Sequence, residues 1–158
     1  NCLLLVAGSQ QVWAKSEALI LKLGGQAQYL GEEVGAPSHL DHALIAPSIM
    51  MQMAVIQGMH MAQKAGVDLD FYSKMMSSLP GSLKADLERH TRAIIDKDFS
   101  EVQASIRTWK EALDRVLEEG QTSKINVDLL NGVNQMLAQG VEQGVGEEDI
   151  AALTKIMS

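Results

Sequence analysis

The sequence predicts a mainly α-helical chain led by one long helix, with a short strand–helix–strand unit in front of it. Three observations predict this. The segment "LLLVAGS" is an apolar run that ends in small turn residues, as a buried strand does, and "AQYLG" is a second such piece after one helical segment. From about Ser38 onward the pattern reads as helix throughout. The 158 residues, 46% of them apolar and 21% charged, are one domain's worth of ordinary globular chain.

The elements follow in order. After the first strand, Ser9 stands where a helix cap would, and Val12, Trp13, Leu19, Ile20 and Leu23 form an apolar side up to the stop at Gly24-Gly25. Strand, helix and strand over residues 1–31 are too few to be stable alone. The chain also opens mid-pattern without an initiator methionine, so a preceding segment is expected to have been lost. The long helix, from Ser38 to about Ala65, would run roughly 40 Å. Pro47, Ser48, Gln52, Gln57 and His60 interrupt it, which favours a buried soluble helix over a membrane span, and Pro47 is a candidate kink. Leu44, Ile45, Ile49, Met50, Met51, Met53, Val55 and Ile56 go most of the way round it. A helix apolar on all sides needs protein on all sides, and a second copy of the chain is the expected cover.

Four more helices are expected. The first starts at a capping Asp68 and stops before Pro80. The next puts Leu83, Leu87 and Ile94 on one face. In "DFSEVQASIRTWKEALDRVLEEG", Phe99, Val102, Ile106, Trp109, Leu113 and Val116 recur every three or four residues. Asp98 and Glu101 stand in capping-box positions there, and Gly120 ends the run. Val127, Leu130, Leu137 and Val141 mark the fourth, and "GEEDIAALTKIM" opens a last helical segment with three acids at its N-terminus.

The charge of −7 excludes a basic nucleic-acid surface. The single cysteine, Cys2, cannot form an internal disulfide, and no signal peptide is visible, so a cytoplasmic chain is expected. His39, Asp41 and His42 crowd one turn at the head of the long helix, but no third metal ligand follows from spacing. The methionines of that helix read as adaptable packing or as the lining of an apolar pocket. "GVEQGVGEED" lacks the spacing of a phosphate loop and reads as helix stops. The residues by themselves therefore point to an intracellular helical dimerisation domain with a polar site near Asp41.

Four stretches, in this order, resemble the C-terminal part of the imine reductases and reductive aminases, NADPH-dependent relatives of the β-hydroxyacid dehydrogenases. They are "LLLVAGSQQVW" with "LGGQAQYLGEEVGAPSHLDHAL", then "MMQMAVIQGMHMAQKAGVD", "DFSEVQASIRTWKEALDRV", and "GQTSKINVDLLNGVNQMLAQGVEQGVGEEDIAAL". In the last, Gly144, Gly146 and Asp149 fit the family's closing G-x-G-x-x-D pattern. The resemblance implies that residues 1–34 are the end of a Rossmann domain. It implies that 35–158 are a substrate and dimerisation domain of the 6-phosphogluconate dehydrogenase C-terminal kind, including the long interdomain helix. It further implies NADPH as cofactor, a homodimer with interlocked helical domains, an active site shared between subunits, and reduction of imines, or of carbonyl plus amine, by hydride transfer.

Asp41 matches the position where the dehydrogenases carry a lysine and the imine reductases commonly an acid or a tyrosine. A cation there would stabilise an oxyanion; a carboxylate would hold a positive iminium or, protonated, act as a donor. Ile49 falls where some reductive aminases place a pocket tyrosine, and Leu79 where they place a pocket tryptophan. With Met53, Thr108 and Trp109 these are the substrate-lining candidates. Lys110, beside Glu111, matches a dehydrogenase lysine near the cofactor and is the cofactor-binding candidate. Leu44 or Ile45 stands where the dehydrogenases have an asparagine. Two alternatives remain: a β-hydroxyacid dehydrogenase-like carbonyl reductase, and a non-catalytic helical dimerisation module.

Overall fold

The computed structural model describes residues 3–23, 26–78 and 83–157, and the chain divides into two compact units, residues 1–55 and 56–158. The first unit opens with strand β1 (Leu3–Val6), helix α1 (Gln10–Lys22) and strand β2 (Gln26–Tyr29). The strands pair in parallel, Leu3 opposite Gln26 and Val6 opposite Tyr29, with α1 as the crossover. Trp13 of α1 stacks on Tyr29 of β2 at 5.4 Å between ring centres, and the Tyr29 hydroxyl donates to the Gly8 carbonyl at 2.7 Å. One aromatic pair thus ties the helix to the sheet and the second strand to the first turn. Ser9 caps α1 with its carbonyl, which accepts from Val12 and Trp13, and not with its side chain. The Gly24-Gly25 stop lies outside the described residues.

Helix α2 (Ala36–Lys64) is continuous across both units. It runs through Pro47, and the Ser48 hydroxyl donates to the Leu44 carbonyl at 2.7 Å beside it. Its composition is apolar enough for a membrane span of that length, with a mean hydropathy of 1.2 in its most apolar window. Within one chain none of its residues is buried.

The second unit continues with α3 (Leu69–Ser78), α4 (Leu83–Asp96), α5 (Ile106–Thr122), α6 (Asp128–Glu142) and a terminal 3₁₀ helix (Ile150–Lys155). Asp68 caps α3, its Oδ1 accepting from Phe71 N at 2.9 Å, as the sequence predicts. Leu87 and Ile94, expected to share a packed face of α4, are both exposed. The core lies where α5, α6 and the 3₁₀ helix meet: Phe99, Ile106, Leu137, Val145, Ala151, Ala152 and Leu153. α6 and α5 come close because Gly140 has no side chain; a Cβ there would stand 2.8 Å from Leu153 Cδ2 and 3.1 Å from Ile106 Cγ2.

Three expectations are corrected. Residues 99–105 are not helical. Asp98 Oδ1 instead accepts from both the backbone and the hydroxyl of Ser100, a local turn that competes with a capping box. The Phe99 carbonyl accepts from Asp149 N, and α5 begins seven residues later with Ser105 as its cap. Gly120 does not end α5; it is buried inside it, where Val127 packs against the bare backbone. Of the three acids before the last helix, only Asp149 caps it, while Glu147 and Glu148 pair with Arg107 and Lys155.

Candidate functional site

The first unit carries Asp41. Glu33 Oε1 accepts from Gly35 N at 3.1 Å and fixes the turn into α2. One turn and a half into the helix, the Asp41 carboxylate borders a hollow of about 310 Å³ with Ser38, Pro37, Leu3 and Leu5. Leu3 and Leu5 are alternate residues of β1 and so share one side of the strand. The carboxylate has no hydrogen bond or ion pair among the described residues, although three of its neighbours in the hollow are apolar. Asp41 is exposed, so water satisfies its carboxylate within the single chain. His39 and His42 are exposed, and no metal-holding group of three His, Cys, Asp or Glu occurs among the described residues. Ile49 and Met53 lie two and three turns further along α2, both exposed.

Thr108, Trp109 and Lys110 belong to the second unit, in the first turn of α5. Thr108 N donates to the Ser105 hydroxyl at 3.2 Å, so Thr108 is part of the helix cap. Trp109, 48% exposed, borders a second hollow of about 340 Å³ with Asp86, Arg89, His90, Gln103, Ala104 and Ile150. Lys110 Nζ donates to Asp114 Oδ2 at 2.7 Å, and Asn134 donates to Asp114 Oδ1 at 2.9 Å. These two hydrogen bonds, the lysine's first, hold the Asp114 carboxyl below the usual range. Leu79 lies outside the described residues.

Sequence reasoning missed the polar cluster around Asp149. That carboxylate is 1% exposed. Its Oδ1 accepts from Ala151 N at 3.0 Å, and its Oδ2 makes a short ion pair with Arg89 Nη1. Arg89 Nη2 reaches Asp86 Oδ1 at 3.4 Å and His90 Nε2 at 3.0 Å. Burial works against the Arg89 charge, but the hydrogen bonds and charges of Asp149 and Asp86 together outweigh it and raise its pKa. The signal available in the sequence was the G-x-G-x-x-D ending; what it lacked was any hint that Arg89, sixty residues earlier, is the partner.

A parallel βαβ unit, one long apolar helix, and a small helical core closed by a buried aspartate define a mainly helical domain behind a short α/β segment. The family described as NADPH-dependent reductive aminase-like, C-terminal domain, matches residues 33–158, and the chain belongs to it. Among solved structures, an imine reductase from Myxococcus stipitatus in complex with NADP+ aligns at a TM-score of 0.92 and 22% identity, covering 100% of this chain and 58% of that one. A reductive aminase from Aspergillus terreus in complex with NADPH and ethyl levulinate aligns at 0.86 and 18%, covering 99% and 54%. An imine reductase from Pseudomonas sp. aligns at 0.78 and 26%, covering 98% and 54%. The chain therefore spans little more than half the length of these structures. No curated protein matches it.

The family is NADPH-dependent, and the strand-to-helix turn between β1 and α1 can be tested against a dinucleotide's phosphates. They do not fit it. Gly8 N already donates to the Gly31 carbonyl at 3.0 Å, and Gln10 N, at the head of α1, faces the Glu32 carboxylate at 3.4 Å. A phosphate needs free N–H groups and no neighbouring anion at a helix N-terminus. Lys110 is the one cation singled out for the cofactor, and its ammonium is engaged with Asp114.

Proposed function

We propose that this chain is the helical, substrate-facing part of an NADPH-dependent imine reductase or reductive aminase that works as a homodimer in the cytoplasm. The observation that carries the reading is the match of residues 33–158 to the reductive aminase-like C-terminal domain, with the Asp41 carboxylate without a partner among the described residues at the edge of an open hollow. Reductive amination passes through a positive iminium nitrogen, and a carboxylate attracts that charge, the more strongly once a covering surface removes the water around it. As the acid it can donate a hydrogen bond to an imine, and as the base it can accept a proton from an ammonium. A carbonyl reductase of the hydroxyacid type needs the opposite sign at the reacting group, to steady an oxyanion. Ile49 and Met53 would then give the pocket apolar, adaptable walls.

The dimer is supported by α2: 29 residues, apolar on every side, with none buried within one chain. In a homodimer Trp109 and Thr108 of one subunit would complete the pocket headed by Asp41 of the other. Lys110 would serve a cofactor only after leaving Asp114.

The test is NADPH consumption that depends on a ketone and a primary amine together, in the longest form of the protein that its gene encodes. Asp41→Asn is expected to lower kcat/KM about a hundredfold or more. Unchanged kcat and KM in that variant would remove Asp41 from the mechanism, and turnover of 2- or 3-hydroxy acids instead of amines would overturn the substrate class.

A further inference from the structure

Two polar side chains line the hollow of about 310 Å³ in the first unit, Asp41 and Ser38. Residues three apart on a helix are surface neighbours, with Cβ atoms about 5–6 Å apart. Leu3, Leu5 and Pro37 supply the rest of the lining. The Ser38 hydroxyl is unpaired for a reason of position. Ser16, Ser48 and Ser77 each donate to a carbonyl four residues back, and Ser78 to one three back. Ser38 is the third residue of α2, and four residues back the chain is still in the turn that leads into the helix. Its side chain has no hydrogen bond among the described residues. Both side chains are exposed, and water holds them until a ligand takes its place.

The two groups differ in what they can hold. A carboxylate suits a nitrogen that carries protons or positive charge, but it repels an oxygen that is gathering negative charge. A hydroxyl is neutral and can donate to that oxygen without repelling the nitrogen beside it. We propose that Ser38 holds the oxygen of a ketone, and then of the carbinolamine formed with an amine, while Asp41 faces the nitrogen. The site then performs the condensation as well as the reduction. This rests on the function proposed above and adds to it a residue and a step. In that step the amine nitrogen bonds to the carbonyl carbon, and the carbonyl π pair moves to the oxygen that Ser38 donates to. The surplus proton on nitrogen passes to that oxygen by way of Asp41, which gives a neutral carbinolamine. The carbon–oxygen bond then breaks. The hydroxyl leaves as water with a proton that Asp41 relays from solvent, and the nitrogen lone pair closes the carbon–nitrogen double bond. What remains is an iminium beside a carboxylate; Ser38 has neither gained nor lost a proton.

The experiment compares two substrates by NADPH consumption, in the longest form of the protein that its gene encodes. Cyclohexanone with methylamine requires the condensation. Methylpyrroline, a ready-made cyclic imine, has no oxygen to hold. Ser38→Ala is expected to lower kcat/KM about tenfold with the ketone and amine, the upper range for one net hydrogen bond, and less than twofold with the cyclic imine. Alanine is a good helix former and Ser38 has no partner to lose, so the variant should fold, which circular dichroism checks. Ser38→Thr keeps the hydroxyl and is expected to recover most of the loss. Equal losses on both substrates would mark a structural role and overturn the proposal. No loss with the ketone and amine, or a threonine variant no better than alanine, would also overturn it. Asp41→Asn is expected to fail on both substrates. If the unmodified protein reduces the cyclic imine but not the ketone with the amine, the role of Ser38 falls and imine reduction stands. If it reduces neither, the function on which the role rests falls as well.

Discussion

Removing the Asp149 carboxylate should cost this chain more stability than any other single polar change. The carboxylate makes a cap hydrogen bond to Ala151 N and an ion pair to Arg89. Deleting one partner of a buried pair costs about 3–5 kcal/mol, because the other charge is stranded. Arg89 retains slight exposure and Asp86 nearby, so about 3 kcal/mol is the appropriate end. Loss of the cap adds about 1 kcal/mol. Asp149→Ala should therefore lose about 4 kcal/mol, a large part of the 5–15 kcal/mol a folded domain has in total. Asp149→Asn keeps a cap acceptor and should lose about 3 kcal/mol. Urea unfolding at fixed protein concentration reads this as a midpoint lower by about 2 M for the alanine variant. Arg89→Met should be costly alone, and the double variant Arg89→Met/Asp149→Ala less costly than the two single effects added, by about 2 kcal/mol. A loss under 1 kcal/mol for Asp149→Ala, or strict additivity in the cycle, would refute the argument that Arg89 and Asp149 hold α4 to the 3₁₀ helix.

Gly140→Ala should destabilise by about 1–2 kcal/mol, since overpacking against Leu153 and Ile106 outweighs the gain in helix propensity. Gly132→Ala, in the same helix with nothing within 4 Å of the new Cβ, should stabilise by about 1 kcal/mol; the same denaturation assay compares them. Acid should weaken the fold at Asp114 and Asp98, whose carboxyls are held below their ordinary values by Lys110 with Asn134 and by Ser100. A depressed folded pKa gives stability that is present above about pH 4 and lost as pH falls below it; Asp114→Asn should make the loss between about pH 4 and 2 shallower. The proposed homodimer predicts a species of twice 17.1 kDa in light scattering after size exclusion, and Ile49→Glu should reduce it to 17.1 kDa. An unchanged dimer would exclude that part of α2 from the interface.

The helices that pack within one chain were legible because each keeps an apolar stripe. Leu137 and Val127 were read from spacing and are buried, and Asp68 was read as a cap and is one. The stretch 99–105 was not legible for a specific reason. Phe99, Val102 and Ile106 are spaced as a helix would space them, but periodicity cannot see a competing turn at Asp98 or a pairing with residues fifty positions away. Ile106 N bonds to the Glu148 carbonyl and Asp149 N to Phe99, so two distant backbone segments settle what the local pattern leaves open. Gly120 misled for a related reason. Glycine ends helices by its backbone freedom and admits close packing by its missing side chain, and only the position of Val127 tells which use applies.

The contrast between α2 and α6 carries the argument for assembly. α6 buries Leu137 and Gly140 against neighbours of its own chain and leaves a polar face to water. α2 has nearly twice the length, is apolar all round, and has no fully buried residue within the chain. A helix this apolar gains about 25 cal/mol for each Å² it removes from water, so leaving its middle wet would forgo much of what its composition offers. Leu44, Ile45, Ile49, Met50, Met51, Met53, Val55 and Ile56 are each between two-fifths and three-fifths exposed, which makes the patch continuous along four turns. Asp41 sits at one end of that patch. Under the proposed homodimer a second copy that covers the patch would also close over Asp41, and a variant that stays monomeric should then lose amine-dependent turnover even with Asp41 intact.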